Sequence, residues 1–178
     1  MLTREKGGPA SGEGRSAVEM QTYAFLDRLG VIYERIDHAP AMTMEVCAEI
    51  DRVLDAAICK NLFLANRQQS AFYLLMLPGK KIFRTRDLSE QIGSARLSFG
   101  TAEKMQELLG VQPGSVSVLG LMHDRGHAVR LLMDEEWRGA EYFGCHPCVN
   151  TSSLRIRTAD LFGKILPATG HVPTFVHL

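Results

Sequence analysis

The sequence lacks any apolar run approaching the ~20 residues of a membrane-crossing helix. Its first residues also lack the apolar stretch of a secretory signal, so the expected location is the cytoplasm, with no membrane partner. There is no excess of charge: 20 Lys and Arg balance 20 Asp and Glu, a formal net charge of zero. A protein that grips nucleic acid strongly by itself is usually basic. No DNA partner is therefore expected, and any RNA contact must be weak, local or helped by a partner. Cysteine is scarce. The four thiols (Cys47, Cys59, Cys145, Cys148) are expected to be reduced rather than to form a disulfide framework. The chain has no internal repeat, no Gly-x-Ser-x-Gly elbow, no phosphate-binding Gly-rich loop and no dinucleotide fingerprint.

What is present is ordinary soluble-domain composition, 46% hydrophobic and 22% charged over 178 residues, enough for one domain with a substantial core. Residues 1–15 are rich in Gly, Ser and charge and are expected to be a flexible tail. Residues 16–178 read as a single domain. Ser16 caps a helix to Leu29, stopped by Gly30, with Tyr23, Leu26 and Leu29 at helical spacing. A strand Val31–Ile36 follows, then a helix capped by Thr43 and running to about Leu54, with Val46, Cys47 and Ile50 as its buried stripe. Ile58–Leu64 and Phe72–Leu77 flank a polar turn at Asn66–Ser70, a hairpin signal. Arg86–Ile92 reads as a helix ending at Gly93, Arg96–Phe99 as a strand, and Thr101 caps a helix that stops at Gly110. Pro113-Gly114 turns the chain into Ser115–Leu121, and His123–Gly126 turns it into Ala128–Met133. Ala140–Phe143 and Leu154–Arg157 are further strands, and Thr158 caps a last helix to Leu166. Interleaved helices with adjacent hairpins make the class mixed α/β (α+β), a mixed, largely antiparallel sheet wrapped by helices.

Three constellations could carry chemistry. Cys145-His146-Pro147-Cys148 has dithiol redox spacing, but β-branched and turn residues follow it where a redox motif would open a long helix. Two buried thiols are the competing reading. A zinc site could use the same cysteines with His123, His127 or His146, but no second ligand pair at suitable spacing appears. Lys60 sits inside the apolar run Ile58–Leu64, where alternation places Lys60, Leu62 and Leu64 on one side. It is either a snorkelling edge residue or a charge pointed into a pocket.

The stretch Lys60-Asn61-Leu62-Phe63-Leu64 with Tyr73-Leu74 resembles the lysine-bearing strand of the YbaK and prolyl-tRNA-synthetase-associated editing domains. The likeness continues through Arg96-Leu97-Ser98-Phe99, Leu108–Val116, Gly120-Leu121, Gly144-Cys145-His146-Pro147 and Asn150-Thr151. It is most similar to the free-standing alanyl-tRNA(Pro) deacylases (the ProXp-ala or PrdX branch), and covers about residues 16–178. The resemblance implies hydrolysis of the aminoacyl ester of mischarged tRNA, with alanyl-tRNA(Pro) as substrate and without metal or cofactor. Prolyl-tRNA synthetase or an elongation factor is a candidate partner. It implies Lys60 as the essential lysine in a pocket, with Asn61 beside it. Gly120 and Leu121 would lie in a substrate-facing loop, and His146 would line the aminoacyl pocket next to Gly144. Lys60 would take the terminal phosphate or ester oxygen, and backbone N–H groups near Gly120 the aminoacyl group. Lys80, Lys81, Arg84 and Arg86 are either a further tRNA contact or a solvated face.

Two departures stand out. Met122-His123-Asp124 replaces an Ile-Asn-Asp pattern, and Cys145 stands where an aromatic residue is common, which would widen the pocket. Alternative functions are editing of another mischarged tRNA such as a cysteinyl one, a non-catalytic binding module on the same fold, or a redox protein.

Overall fold

The computed structural model describes residues 2–40 and 44–178, side chains included except at 44–47. Strands are β1 (Arg4–Lys6), β2 (Tyr33–Asp37), β3 (Ala57–Asn66), β4 (Phe72–Pro78), β5 (Leu97–Phe99), β6 (Val129–Asp134), β7 (Tyr142–Cys145), β8 (Ser152–Arg157) and β9 (Thr174–Val176). Helices are α1 (Ala17–Arg28), α2 (Met44–Leu54), α3 (Thr85–Ile92), α4 (Ala102–Leu109), α5 (Thr158–Asp160) and α6 (Leu166–Thr169). The expected Thr43 cap and the Val46 and Cys47 side chains lie outside the described residues. Among those residues, no helix is long and apolar enough to cross a membrane.

The strands join in the order β1-β2-β8-β7-β3-β4-β6-β9, with β5 also on β3. The hairpin β3–β4 and the pairs β1–β2, β2–β8, β7–β8 and β3–β5 are antiparallel. The pairs β3–β7, β4–β6 and β6–β9 are parallel. The mixed, largely antiparallel sheet is as expected.

Alternation along β4 divides the core. Leu74 and Met76 join the large cluster with Phe63, Trp137 and Phe143, whereas Leu75 and Leu77 join a smaller one with Leu64, Leu88 and Leu97. A strand buried on both faces reads as the continuous apolar run seen at Phe72–Leu77. Local stop signals work as the residue chemistry dictates. Ser16 accepts from the Glu19 N–H, and Thr101 from the Lys104 N–H. Gly93 and Gly110 end α3 and α4 at φ +65 and +67, in the left-handed region.

Four expectations need correction. Part of the 1–15 segment is a strand, since β1 pairs with β2 and the Gly7 N–H reaches the Tyr33 carbonyl at 2.9 Å. Its three residues are all exposed, so they carry no apolar period; backbone pairing and ions hold them. Glu5 pairs with the buried Arg35, and Arg15 bridges Glu19 and Asp37 at 2.6 Å each. Ser115–Leu121 is not a strand: its second half is a 3₁₀ turn, Val118–Met122, which Ser117 caps. Thr158 does not cap the last helix, because Arg157 holds the N-cap position and the Thr158 hydroxyl is buried without a partner. That helix also passes through a π-helical turn, Leu161–Ile165, before α6. Strand β9 went unread because Thr174–Val176 is too short to show a period.

Candidate active site

The register of β3 creates an opening. On the edge away from β4, β7 pairs only with Ala57 and Ile58, and β5 only with Leu64–Asn66. Between them lies a cleft of about 500 Å³. Because this edge is uncovered, consecutive residues reach the cleft: Cys59, Asn61, Leu62 and Phe63 all line it. Gly100 and Met105 close one side, and Pro113, Gly114 and Val116 another. His146, just past the end of β7, completes the wall.

Asn61 and His146 are thus brought together as expected. The Asn61 Oδ1 is buried and, among the described residues, has no hydrogen-bond partner. An unsatisfied buried carbonyl destabilises a fold by about 1–3 kcal/mol, so its presence in a cleft wall points to a ligand donor. His146 has its Nδ1 2.8 Å from the Ser152 carbonyl oxygen. A carbonyl can only accept, so Nδ1 carries the hydrogen, and Nε2 is the acceptor nitrogen of the neutral ring. Burial pushes the imidazole below its usual pKa; the Ser152 carbonyl opposes this and His38 adds to it. His38 lies 6.3 Å away ring to ring, with its Nε2 2.9 Å from the Ser153 hydroxyl.

An ion network, open to solvent at Asp37, stands behind Ser152. Its hydroxyl donates to Asp37 Oδ1 at 2.6 Å, and Arg15 reaches both Asp37 and the Ser152 hydroxyl. The Arg15 guanidinium, against the opposing effect of burial, holds Asp37 well below the usual carboxylate range, helped by Ser152 and Arg35. The β2–β8 register, Asp37 opposite Ser152, places this network.

The other expected residues lie elsewhere. Lys60 does not line the cleft; its ammonium donates to the Lys81 carbonyl at 2.8 Å. Leu62, on the same side of β3 by alternation, does line the cleft, so what keeps Lys60 out of it is the turn of its ammonium to the Lys81 carbonyl. Gly120 and Leu121 are buried in the 3₁₀ turn and do not line this cleft. A Cβ on Gly120 would stand 3.0 Å from the Leu109 carbonyl oxygen, so this glycine permits close packing on α4. Gly144 packs β7 against β3: a Cβ there would meet Ile58 Cγ1 at 2.8 Å and Leu54 Cδ2 at 3.0 Å. Its carbonyl accepts from the Cys59 thiol at 2.9 Å.

Cys145 is a core residue and not part of the cleft wall, so the expected widening does not come from its side chain. Burial raises its pKa well above the ordinary thiol value and takes Cys148 up to about 11. Neither has the acidic, accessible thiol of a redox centre. Among the described residues, no group of three or more His, Cys, Asp or Glu side chains is gathered to hold a metal ion. In the basic run, Lys81 is held by Asp134 and Glu136 at 2.9 and 2.8 Å, and Arg86 by Glu90 at 2.9 Å.

Sequence reasoning passed over Phe99, Gly100 and Gly114. Phe99 is 65% exposed at the cleft, a large apolar ring left open to solvent. Gly100 cannot carry a side chain, since its Cβ would fall 2.4 Å from the Phe63 ring. Gly114, at φ +87, turns the backbone beside the cleft. The signal for it was present in Pro113-Gly114, which read only as a turn.

The family whose pattern matches residues 38–163 is described as the aminoacyl-tRNA editing domain. The Acetoanaerobium sticklandii prolyl-tRNA editing protein ProX is 31% identical over 83% of this chain and 90% of its own. The zebrafish (Danio rerio) prolyl-tRNA synthetase associated domain-containing protein 1 is 29% identical over 85% and 83%. In fold, the chain matches a solved structure described as a candidate trans-editing enzyme for prolyl tRNA synthetase. That match has a TM-score of 0.68 at 18% identity, covering 92% of this chain and 98% of the other.

Proposed function

The chain belongs to the aminoacyl-tRNA editing domain family, and on that premise we propose that it hydrolyses alanine from mischarged proline tRNA in trans. The observation that carries this reading is the pairing, in one cleft, of the Asn61 carbonyl, partnerless among the described residues, with a half-buried His146 whose pKa burial lowers. An aminoacyl ester offers a complementary set of groups. Its α-ammonium donates to the Asn61 oxygen, and its small side chain enters between Phe63, Met105 and Val116. Its terminal adenine stacks on the open Phe99 ring.

Such a site supplies discrimination that a synthetase cannot. A binding pocket that admits proline rejects a ligand smaller by a methylene or two by only ~1–3 kcal/mol. A second hydrolytic site whose pocket excludes proline removes the error. In the reaction, a water oxygen bonds to the ester carbonyl carbon, and the bond from that carbon to the ribose oxygen breaks. One proton of the water restores the ribose hydroxyl, the other passes to solvent, and alanine leaves as its carboxylate. No cofactor or metal enters the scheme.

The protein's part is positioning and electrostatic stabilisation. His146 Nε2, the acceptor nitrogen, holds the attacking water or the vicinal ribose hydroxyl. The backbone at Gly114, rather than at Gly120, faces the ester. Lys60 has three donors and one recorded bond to a neutral carbonyl; it is assigned to the phosphate next to the terminal adenosine. A tRNA substrate supports a cytoplasmic location, where a synthetase or elongation factor would hand over the substrate. The test is deacylation of alanyl-tRNA(Pro) by the purified chain, beside prolyl-, cysteinyl- and seryl-tRNA. Release of alanine but not proline is expected, and intact alanyl-tRNA(Pro) after prolonged incubation at high protein concentration refutes the proposal.

A further inference from the structure

The 3₁₀ turn Val118–Met122 leads into a second cleft, of about 690 Å³, that the proposed reaction does not use. One wall is a single face of α1, with Gln21, Phe25 and Arg28 at helical spacing; the opposite wall is the turn His123–His127. The chemistry of this cleft is one-sided. Two guanidinium groups (Arg28, Arg125), two imidazoles (His123, His127) and the Gln21 amide line it, against one acid, Asp124.

That acid is already engaged inside the fold. Its two oxygens accept from the Ala128 and Val129 N–H groups at 2.9 and 2.8 Å, and His171 Nε2 lies 3.0 Å from one of them. Asp124 therefore anchors the turn, with both oxygens engaged by donors of the fold itself, and the two guanidinium groups outnumber its single charge at the cleft. Among the described residues, neither arginine meets a carboxylate; Arg28 lies over the Phe25 ring at 5.6 Å.

The imidazoles are held in place. A Cβ on Gly110 would stand 2.9 Å from His123, and one on Gly170 2.7 Å from His127, so the two helix-ending glycines leave room for the two rings. His127 itself adopts φ +51, an uncommon conformation for a non-glycine residue. His123 Nε2 is buried with no partner among the described residues. Burial, and after it the Arg125 charge, push the His123 pKa below its ordinary value. The ring lines the cleft and has an N–H to offer an anion.

We propose that this second cleft binds a backbone phosphate of the RNA substrate, away from the aminoacylated end. Arg28 and Arg125 supply the charge, and His123 and Gln21 the neutral donors. This rests on the tRNA reading above. Guanidinium forks with neutral donors in a concavity suit a phosphate. A chain of zero net charge must also concentrate its RNA contacts in such local patches rather than spread them over a basic surface.

The experiment measures binding of uncharged proline tRNA across a salt series, for the wild type and the double variant Arg28→Ala/Arg125→Ala. Affinity of the variant is expected to fall about tenfold, with the salt slope shallower by about two. Its KM for alanyl-tRNA(Pro) should rise while kcat at saturation stays unchanged. In parallel, the imidazole proton signals of His123 and His127 are followed as tRNA, AMP or inorganic phosphate is added; tRNA alone should move them at stoichiometric concentration. Wild-type affinity and slope in a variant that deacylates normally overturn the second site and leave the editing reading standing. A wild type that neither binds nor deacylates tRNA removes both. Signals moved equally by AMP, with tRNA affinity unchanged in the variant, assign the cleft to a free phosphate ester and overturn the RNA assignment.

Discussion

His146 Nδ1 lies 2.8 Å from the Ser152 carbonyl oxygen, and this one bond decides which imidazole nitrogen the candidate active site has available. The carbonyl belongs to β8, whose register with β2 sets Ser152 opposite Asp37. The Arg15–Asp37–Ser152 network therefore fixes both the tautomer and the orientation of the ring, from a segment distant in sequence.

His146 should titrate below the ordinary histidine value of about 6.5. Its pKa is lowered in the folded protein, so the unfolded chain binds the proton first as pH falls. Stability should be constant above about pH 7, fall as pH drops through ~6.5, and level off below the folded pKa. His146→Gln should flatten that part of the stability curve and slow deacylation at least ~10-fold. Chemical denaturation at a series of pH values checks the first, and an unchanged curve would remove the buried neutral imidazole.

Asn61→Leu is expected to trade function for stability. The substitution nearly conserves shape and removes a partnerless buried carbonyl, so the midpoint of unfolding should hold or rise, by up to ~1 kcal/mol. Deacylation should fall by roughly 100-fold, the equivalent of one hydrogen bond of about 3 kcal/mol to a charged group. A variant that keeps near-normal rates would show that the Asn61 oxygen meets no substrate.

Lys60→Ala should leave circular dichroism and thermal unfolding close to wild type, because among the described residues the ammonium makes one hydrogen bond, to the Lys81 carbonyl. Activity should fall ~10- to 100-fold, the loss of one charge-assisted contact. Lys60→Arg tests geometry, since a fork cannot replace a compact ammonium everywhere. Normal kinetics in Lys60→Ala would confine the lysine to the loop that it holds in this structure.

Cys145→Phe should destabilise by about 1–3 kcal/mol, because the thiol is packed in the core. The ratio of alanyl to larger aminoacyl substrates should not change. Altered selectivity with unaltered stability would show that the side chain reaches the cleft after all.

Alanyl-tRNA(Pro) ending in 2′-deoxyadenosine, with alanine on the 3′ oxygen, should bind normally but deacylate far more slowly. Among the described residues that line the cleft, His146 is the one side chain with a basic nitrogen, and the substrate's vicinal hydroxyl stands next to the ester carbonyl to orient the water. Equal rates for the deoxy and ribo substrates would return that role to His146 alone.

The local chemistry of the chain was legible residue by residue. Ser16 and Thr101 as caps, Gly93 and Gly110 as stops, and Asn66–Ser70 as the turn of a hairpin all depend on groups a few residues apart. The two-residue period in β3 and the unbroken apolar run in β4 likewise announced strands. Asn61 and His146 were readable only as members of a family pattern; nothing in their spacing, 85 positions apart along the sequence, joins them.

The tertiary structure alone decided where the cleft opens. β7 and β5 meet opposite ends of β3 and leave its middle uncovered, a consequence of long-range register. Strand alternation was in the sequence. Yet Asn61 and Leu62, on opposite faces of β3, both reach the cleft at its uncovered edge, while Lys60 turns to the Lys81 carbonyl, and alternation tells neither. The same holds for Gly120, which looks like a loop glycine until α4 is packed on it, and for the three-residue strand at the N-terminus. Periodicity and capping are short-range and written in neighbouring residues. Register, burial and the partnerless Asn61 oxygen arise from chain segments that meet only on folding.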